Sequence, residues 1–211
     1  GWGALEANRR AGQHEAAFPS AFVFPDATLG TEQLPWMTLL KEGRLPEPDA
    51  RQIPGEWMIQ LEWRALLEES LKTGAGRHWF ALLHLGVMRL ENLDEPGAAA
   101  AWEESIRFRP SAWAWRNLGA LALRQNAPDR ALTCYQKAWE LAFDMGTPDV
   151  SFAGEYLSAL HVAGQIDAAW NFFQRLPGEI QAQDTVRLLA AKVAFMRDDL
   201  DFVEEVLEAE F

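Results

Sequence analysis

The chain has 211 residues, 49 % of them hydrophobic and 24 % charged, a balance that fits one large globular domain or two small ones and excludes disorder as the main state. A chain of this length buries about 70 % of its unfolded surface, so it needs neither disulfides nor a structural metal. Its 31 acidic and 19 basic residues leave a net charge of −12, which repels phosphate backbones and anionic lipid, so neither nucleic acid nor membrane is an expected partner.

Cys134 is the single cysteine and cannot form an internal disulfide, which suits a reducing, cytoplasmic setting. The longest apolar run, Trp79 to Met88, is too short to span a bilayer and is broken by His84. No charged-then-apolar signal sequence opens the chain. It begins Gly-Trp-Gly without Met, as expected of a processed product or a piece of something longer. Ten tryptophans stand against two tyrosines.

Residues 1–54 hold Pro19, Pro25, Pro35, Pro46, Pro48 and Pro54, each of which removes a backbone donor and restricts its predecessor. The segment therefore reads as an irregular Pro-rich strap. Two short helices fit within it: Ala4 to Ala11, and Pro35 to Glu42, where Trp36, Leu39 and Leu40 share a face and Gly43 supplies the stop. Its aromatics Trp2, Phe18, Phe22, Phe24 and Trp36 predict that it is strapped onto a neighbouring surface.

From Glu56 the apolar spacing shifts to 3.6. Trp57, Leu61, Ala65 and Leu71, or Trp63, Leu66 and Leu67, predict a helix ending near Gly74. Turn residues then recur roughly every 15 to 20 residues without β-branched alternation, the spacing of short antiparallel helices. Sliding the sequence by 33 places sets Leu85-Gly86 on Leu118-Gly119, Ala98 on Ala131, Trp102 on Tyr135 and Ser105 on Ala138. A small residue on one helix admits the next helix closely, and an aromatic fills the space between pairs. The repeat domain spans 55–211, with units at about 79–111, 112–147, 150–181 and 184–211.

These residues resemble the tetratricopeptide repeat, with a best match in Trp115-x2-Leu118-Gly119, Ala131, Tyr135 and Ala138, and a matching proline at Pro110 in the preceding unit. Ala122 and Phe143 depart from the pattern, and the period is 33 where the family's is 34. The resemblance implies an all-α fold, a right-handed α-α superhelix with a concave face behind the irregular N-terminal extension, and binding rather than catalysis. The phrase Pro110-Ser111-Ala112-Trp113-Ala114-Trp115-Arg116-Asn117-Leu118 is further similar to the repeat region of large bacterial proteins in which a β-rich, sugar-enzyme-like domain comes first.

Steps of 100° place Trp113, Arg116, Ala120 and Arg124 on one side of helix 112–124, and Trp115, Leu118 and Ala122 on the core side. Under the resemblance, the first side lines the concave surface together with Asn117, Ser158, His161 and Lys192. The candidate partner-binding groove is thus Trp113, Arg116, Asn117, Arg124, Ser158, His161 and Lys192. It suits a peptide or protein partner of acidic character read through charge-assisted hydrogen bonds. Alternatively, these cations pair with local acids such as Glu155 and keep the groove hydrated. Trp102, Trp115, Trp139 and Trp170 read as packing residues.

No catalytic or metal set stands out, and no cofactor is expected. His78 and His84 are six apart and point away from each other on a helix. Asp199-Leu200-Asp201 reads as a helix start, where Asp caps amides. Glu68-Glu69 and Glu103-Glu104 are adjacent rather than facing. Cys134 reads as a buried thiol, and Gly74-Ala75-Gly76 as a hinge. Asp198 to Glu210 holds seven acids. With Phe202, Val203, Val206 and Leu207 on one face, it predicts an end-capping helix with a polar outer side. The leading reading is a non-catalytic interaction scaffold; the rival is an accessory helical domain of a bacterial carbohydrate-active enzyme that supports a β-rich domain or a homo-oligomer.

Overall fold

The computed structural model describes residues 1–144, 146 and 149–208; the tail of the acidic C-terminal stretch, including Glu210, lies outside them. The chain divides into two compact units, Gly1–Pro110 and the part from Ser111 onward. Among the described residues every regular element is a helix.

In the first unit, α1 (Trp2–Gly12) and α2 (Leu34–Glu42) are short helices joined by irregular chain with one 3-10 turn at Asp26–Thr28. Gly43 ends α2 at φ +71°, a left-handed stop that a side chain would strain. Helix α3 (Leu61–Ser70) starts five residues later than its apolar spacing suggests, and stops four before Gly74. Residues 56–60 are extended instead. Gly55 turns the chain at φ +77°, and extension lets Trp57 reach the His84 ring at 5.0 Å while Met58 is buried. Tertiary packing here overrides helix spacing.

Helices α4 (Trp79–Glu91) and α5 (Glu95–Phe108) form the first antiparallel pair. His78 caps α4, its Nδ1 accepting from the Ala81 N–H at 3.4 Å, and its Nε2 lies 3.1 Å from the Leu45 carbonyl. Gly86 permits the approach of α5: a Cβ there would stand 2.2 Å from the Trp102 indole nitrogen. That ring is buried and donates from Nε1 to the Leu83 carbonyl at 3.1 Å.

The second unit contains α6 (Ala112–Arg124), α7 (Pro128–Asp144), α8 (Val150–Val162), α9 (Ile166–Arg175), α10 (Gly178–Gln181), α11 (Asp184–Met196) and α12 (Leu200–Glu208). Ser111 caps α6 through Oγ, accepting from Ala114 N–H at 3.3 Å, and Asp149 caps α8 by accepting from Phe152 N–H at 2.9 Å. Asp199 takes the Phe202 N–H at 3.4 Å, the helix-start role its position indicates. Short α10 has no counterpart in the periodicity; Pro177 starts it, and Ile180 carries it into the core. That core joins Leu157 and Leu160 of α8, Phe173 of α9 and Val186, Ala190 and Val193 of α11.

One turn recurs in all four helix pairs. Leu93, Asn126, Gly164 and Asp198 each take a φ between +54° and +69°. The next amide in each case reaches back across the helix end, as in Asp94 N–H to Arg89 O and Ala127 N–H to Ala122 O, both at 2.9 Å. This closes carbonyls that the helix leaves unpaired.

The aromatic strap is only partly fastened. Trp36 is buried, edge-on to Trp63 at 6.2 Å and to His84 at 5.1 Å. Phe18, Phe22 and Phe24 cluster together, with Phe24 against Gly3 of α1 and the Arg10 guanidinium 4.3 Å above Phe18. Phe22 stays the more exposed, at 61 % against 38 % for Phe24, because Phe24 is the ring that lies on α1.

Candidate functional site

The seven groove residues predicted from sequence all lie in the second unit, on three helices. From α6 come Trp113, Arg116, Asn117 and Arg124; from α8 come Ser158 and His161; from α11 comes Lys192. Trp113 is half-buried, its ring 5.1 Å from Phe152. Arg116 lies 5.5 Å over the same Phe152 ring and grips Glu155 with two donors, Nε to Oε2 at 2.8 Å and Nη2 to Oε1. These hydrogen bonds hold the guanidinium pKa above its ordinary value against the opposing effect of burial. Arg116 is therefore engaged within the unit, as the local-pairing alternative has it. The Asn117 amide nitrogen is buried without a hydrogen-bond partner among the described residues. Ser158 is half-buried, and Arg124 sits exposed at the last turn of α6.

His161 and Lys192 are brought together. They line a groove of about 430 Å³ between α8, α11 and α12, whose other walls are Leu188, Ala191, Phe195, Met196, Val203 and Leu207. The lining is almost wholly apolar, yet Phe195, Met196 and Leu207 are 64 %, 61 % and 67 % exposed. Neither Lys192 nor His161 has a hydrogen bond or ion pair among the described residues. Trp113, Arg116, Asn117, Arg124 and Ser158 do not line this groove.

The helical spacing of α11 accounts for its walls. Val186, Ala190, Val193 and Ala194 face the core, while Leu188, Lys192, Phe195 and Met196 recur at i, i+4, i+7 and i+8 on a second stripe. An amphipathic helix needs one apolar face, and α11 carries two. That surplus was the sequence signal for Leu188, Phe195 and Met196, though not for the walls that α12 adds. On α12, Val206 is buried, but Leu207 turns outward, so the last helix is not polar over its whole outer side.

Acid and thiol features elsewhere have structural roles. Glu68 binds Arg64 and Arg89, Glu104 binds Arg77, and Cys134 is buried. Among the described residues no three His, Cys, Asp or Glu side chains could hold a metal ion, and no helix is long and apolar enough to cross a membrane.

No family model matches the sequence, and no curated protein matches it. The structure is similar to that of YrrB, described as a TPR protein with an unusual peptide-binding site, with TM-score 0.55 and 17 % identity over 69 % of this chain and 73 % of that one. It is similar to MamA of AMB-1 with TM-score 0.54 and 18 % identity, over 70 % of this chain and 80 % of that one. At such identities the likeness concerns fold: the chain has a TPR-like α-α helical-repeat fold.

Proposed function

We propose that the chain is a non-catalytic interaction module in which the α8/α11/α12 groove captures a segment of a partner protein carrying apolar anchors beside a carboxylate. The observation that carries this reading is the exposed apolar lining of that groove, with Lys192 and His161 as its polar members. Apolar anchors gain most where a concave wall desolvates them, and a nearby cation selects the acidic neighbour. The peptide-binding site named for YrrB is in accord with such a role. Arg116, held by Glu155, shapes the α6–α8 contact in this reading and does not meet the ligand.

Selection from a displayed random peptide library tests it. The full chain should retain peptides pairing Leu or Phe with Asp or Glu. Phe195→Asp should abolish retention, and Lys192→Glu should reverse the charge preference, both with an unchanged melt. Peptides that bind the wild type and both variants alike overturn the proposal.

The exposed apolar side chains of Phe22, Val23 and Ile53 in the first unit favour a second reading, a helical accessory region beside another domain.

A further inference from the structure

The first unit carries a second groove of different chemistry, independent of the peptide groove. About 510 Å³ opens between α1, the extended segment 56–60 and α3. Two indoles on its wall are part-exposed, Trp2 at 37 % and Trp57, which also packs on His84, at 40 %. Trp63 behind them is buried and donates from Nε1 to Glu6 Oε2 at 3.0 Å.

The polar groups of this groove are unbalanced. Glu6 is saturated: Arg9 donates to it twice at 2.9 Å, Arg10 Nε once at 3.0 Å and Trp63 once. The Arg9 bonds first, then those of Arg10 and Trp63, hold its pKa down at about 2 despite burial. Arg10 is the one cation on the wall, and it is committed to Glu6 and to the face of Phe18. Gln60 uses its carbonyl to accept from Ile59 N–H at 3.3 Å. Glu56 and Glu62 remain exposed, with no hydrogen bond or ion pair among the described residues. The groove thus offers part-exposed indoles and free carboxylates, with the Gln60 amide as its chief uncommitted donor.

A saccharide carries hydroxyls that both donate and accept, and it needs a wall with both kinds of group. A guanidinium or ammonium group only donates, lies favourably over an indole within about 6 Å of the ring, and pairs with carboxylates. The chain's net charge of −12 draws cations toward it at long range. We infer that the Trp2/Trp57 groove binds the side chains of an arginine-rich basic segment, with the indoles taking the cation's face and Glu56 and Glu62 its edge.

Titration calorimetry of the full chain with tetra-arginine peptide, with cellotetraose as the neutral alternative, decides it. Tetra-arginine should bind, and binding should weaken as salt rises. The double change Glu56→Gln and Glu62→Gln should weaken it about tenfold or more with melting unaltered at these exposed positions, and Trp2→Ala should weaken it by as much. Glu204→Gln with Glu208→Gln removes the same charge from exposed positions on α12 and should leave affinity within about twofold. Equal loss from both charge pairs means unspecific attraction and overturns the site. Binding of cellotetraose without tetra-arginine overturns it in favour of a sugar cleft, and binding of neither overturns it outright.

Discussion

Helices α4 and α6 occupy equivalent places in their units, 33 residues apart, and what differs between them separates the repeat device from its use. His78 and Ser111 both cap, and Gly86 and Gly119 both admit an aromatic from the following helix. His84 and Asn117 also correspond, and each leaves a buried nitrogen without a partner among the described residues. The surroundings diverge there. In the first unit, Trp36 and Trp57 from the strap side, with Phe80 of α4 at 4.4 Å, enclose His84 until it is 2 % exposed. In the second, α6 meets α8 through Trp113 and Arg116 on Phe152, and the open apolar surface moves to α11 and α12. The repeat pattern fixes how two helices pair, and the neighbours decide whether the outer face is sealed or left for a ligand.

The largest expected contrast lies at the paired glycines. A Cβ at Gly86 collides with the Trp102 indole at 2.2 Å, and that ring cannot withdraw because it is buried and tied to the Leu83 carbonyl. At Gly119 the same atom meets the Tyr135 ring at 3.0 Å, close enough for a small shift to absorb. Gly86→Ala should therefore destabilise by about 3 kcal/mol, and Gly119→Ala by about 1 kcal/mol, in urea melts of the two variants. Equal losses would show that the two interfaces are packed alike after all.

Those glycines also mark how far the sequence could be read. The caps at Ser111 and Asp199 and the stop at Gly43 are local signals, written within a turn or two of where they act, and the Gly–aromatic offset is legible because it recurs at sixteen residues in both units. The late start of α3 was hidden because Trp57 fits a helical stripe and leaves it only for a ring 27 residues onward. His161 and Lys192 could be named as polar members of a shared face. The apolar groove around them could not, since it is assembled from α8, α11 and α12 by packing that no single window contains. Arg116 could be read from the helical wheel either as available or as paired with Glu155, and the fold decides for the pair by bringing that carboxylate, 39 residues away, to its guanidinium.

Sealing has an electrostatic consequence for the first unit. Burial drives the His84 pKa down to about 3 against a hydrogen bond to the Pro54 backbone, which favours the proton. The unfolded chain's histidine titrates near its ordinary value of 6.5. Because the folded value is the lower one, the unfolded state binds the proton first, and stability is lost as pH falls from about 6.5 toward 3. The slope is about 1.4 kcal/mol per pH unit. Glu6, also lowered, contributes its loss only below about 4.5, whereas His78, lowered by its own burial, shares the interval below 6.5 with His84, so a variant is what separates the two. Replacing His84 with the residue of the equivalent position, as His84→Asn, should reduce the slope of the stability profile between about pH 6.5 and 4.5 to the part that His78 contributes, whatever its effect at about pH 7. An unchanged slope would mean that the Trp36 and Trp57 seal admits water to the ring.

The smallest effect is a gain, and it tests the turn that all four pairs share. Asn126, Gly164 and Asp198 belong to types that tolerate positive φ, whereas Leu93 holds φ +61° with its side chain almost wholly in solvent. A leucine there gains little from burial and keeps the steric cost between its Cβ and the neighbouring carbonyl. Leu93→Asn copies the second unit's choice at the matching position. It should raise stability by about 1 kcal/mol, seen as an increase in Tm with no change in the urea m-value. Loss of stability would mean that the Leu93 side chain covers more of α4 and α5 than its exposure indicates, and that the turn in the first unit is held by contacts the other three lack.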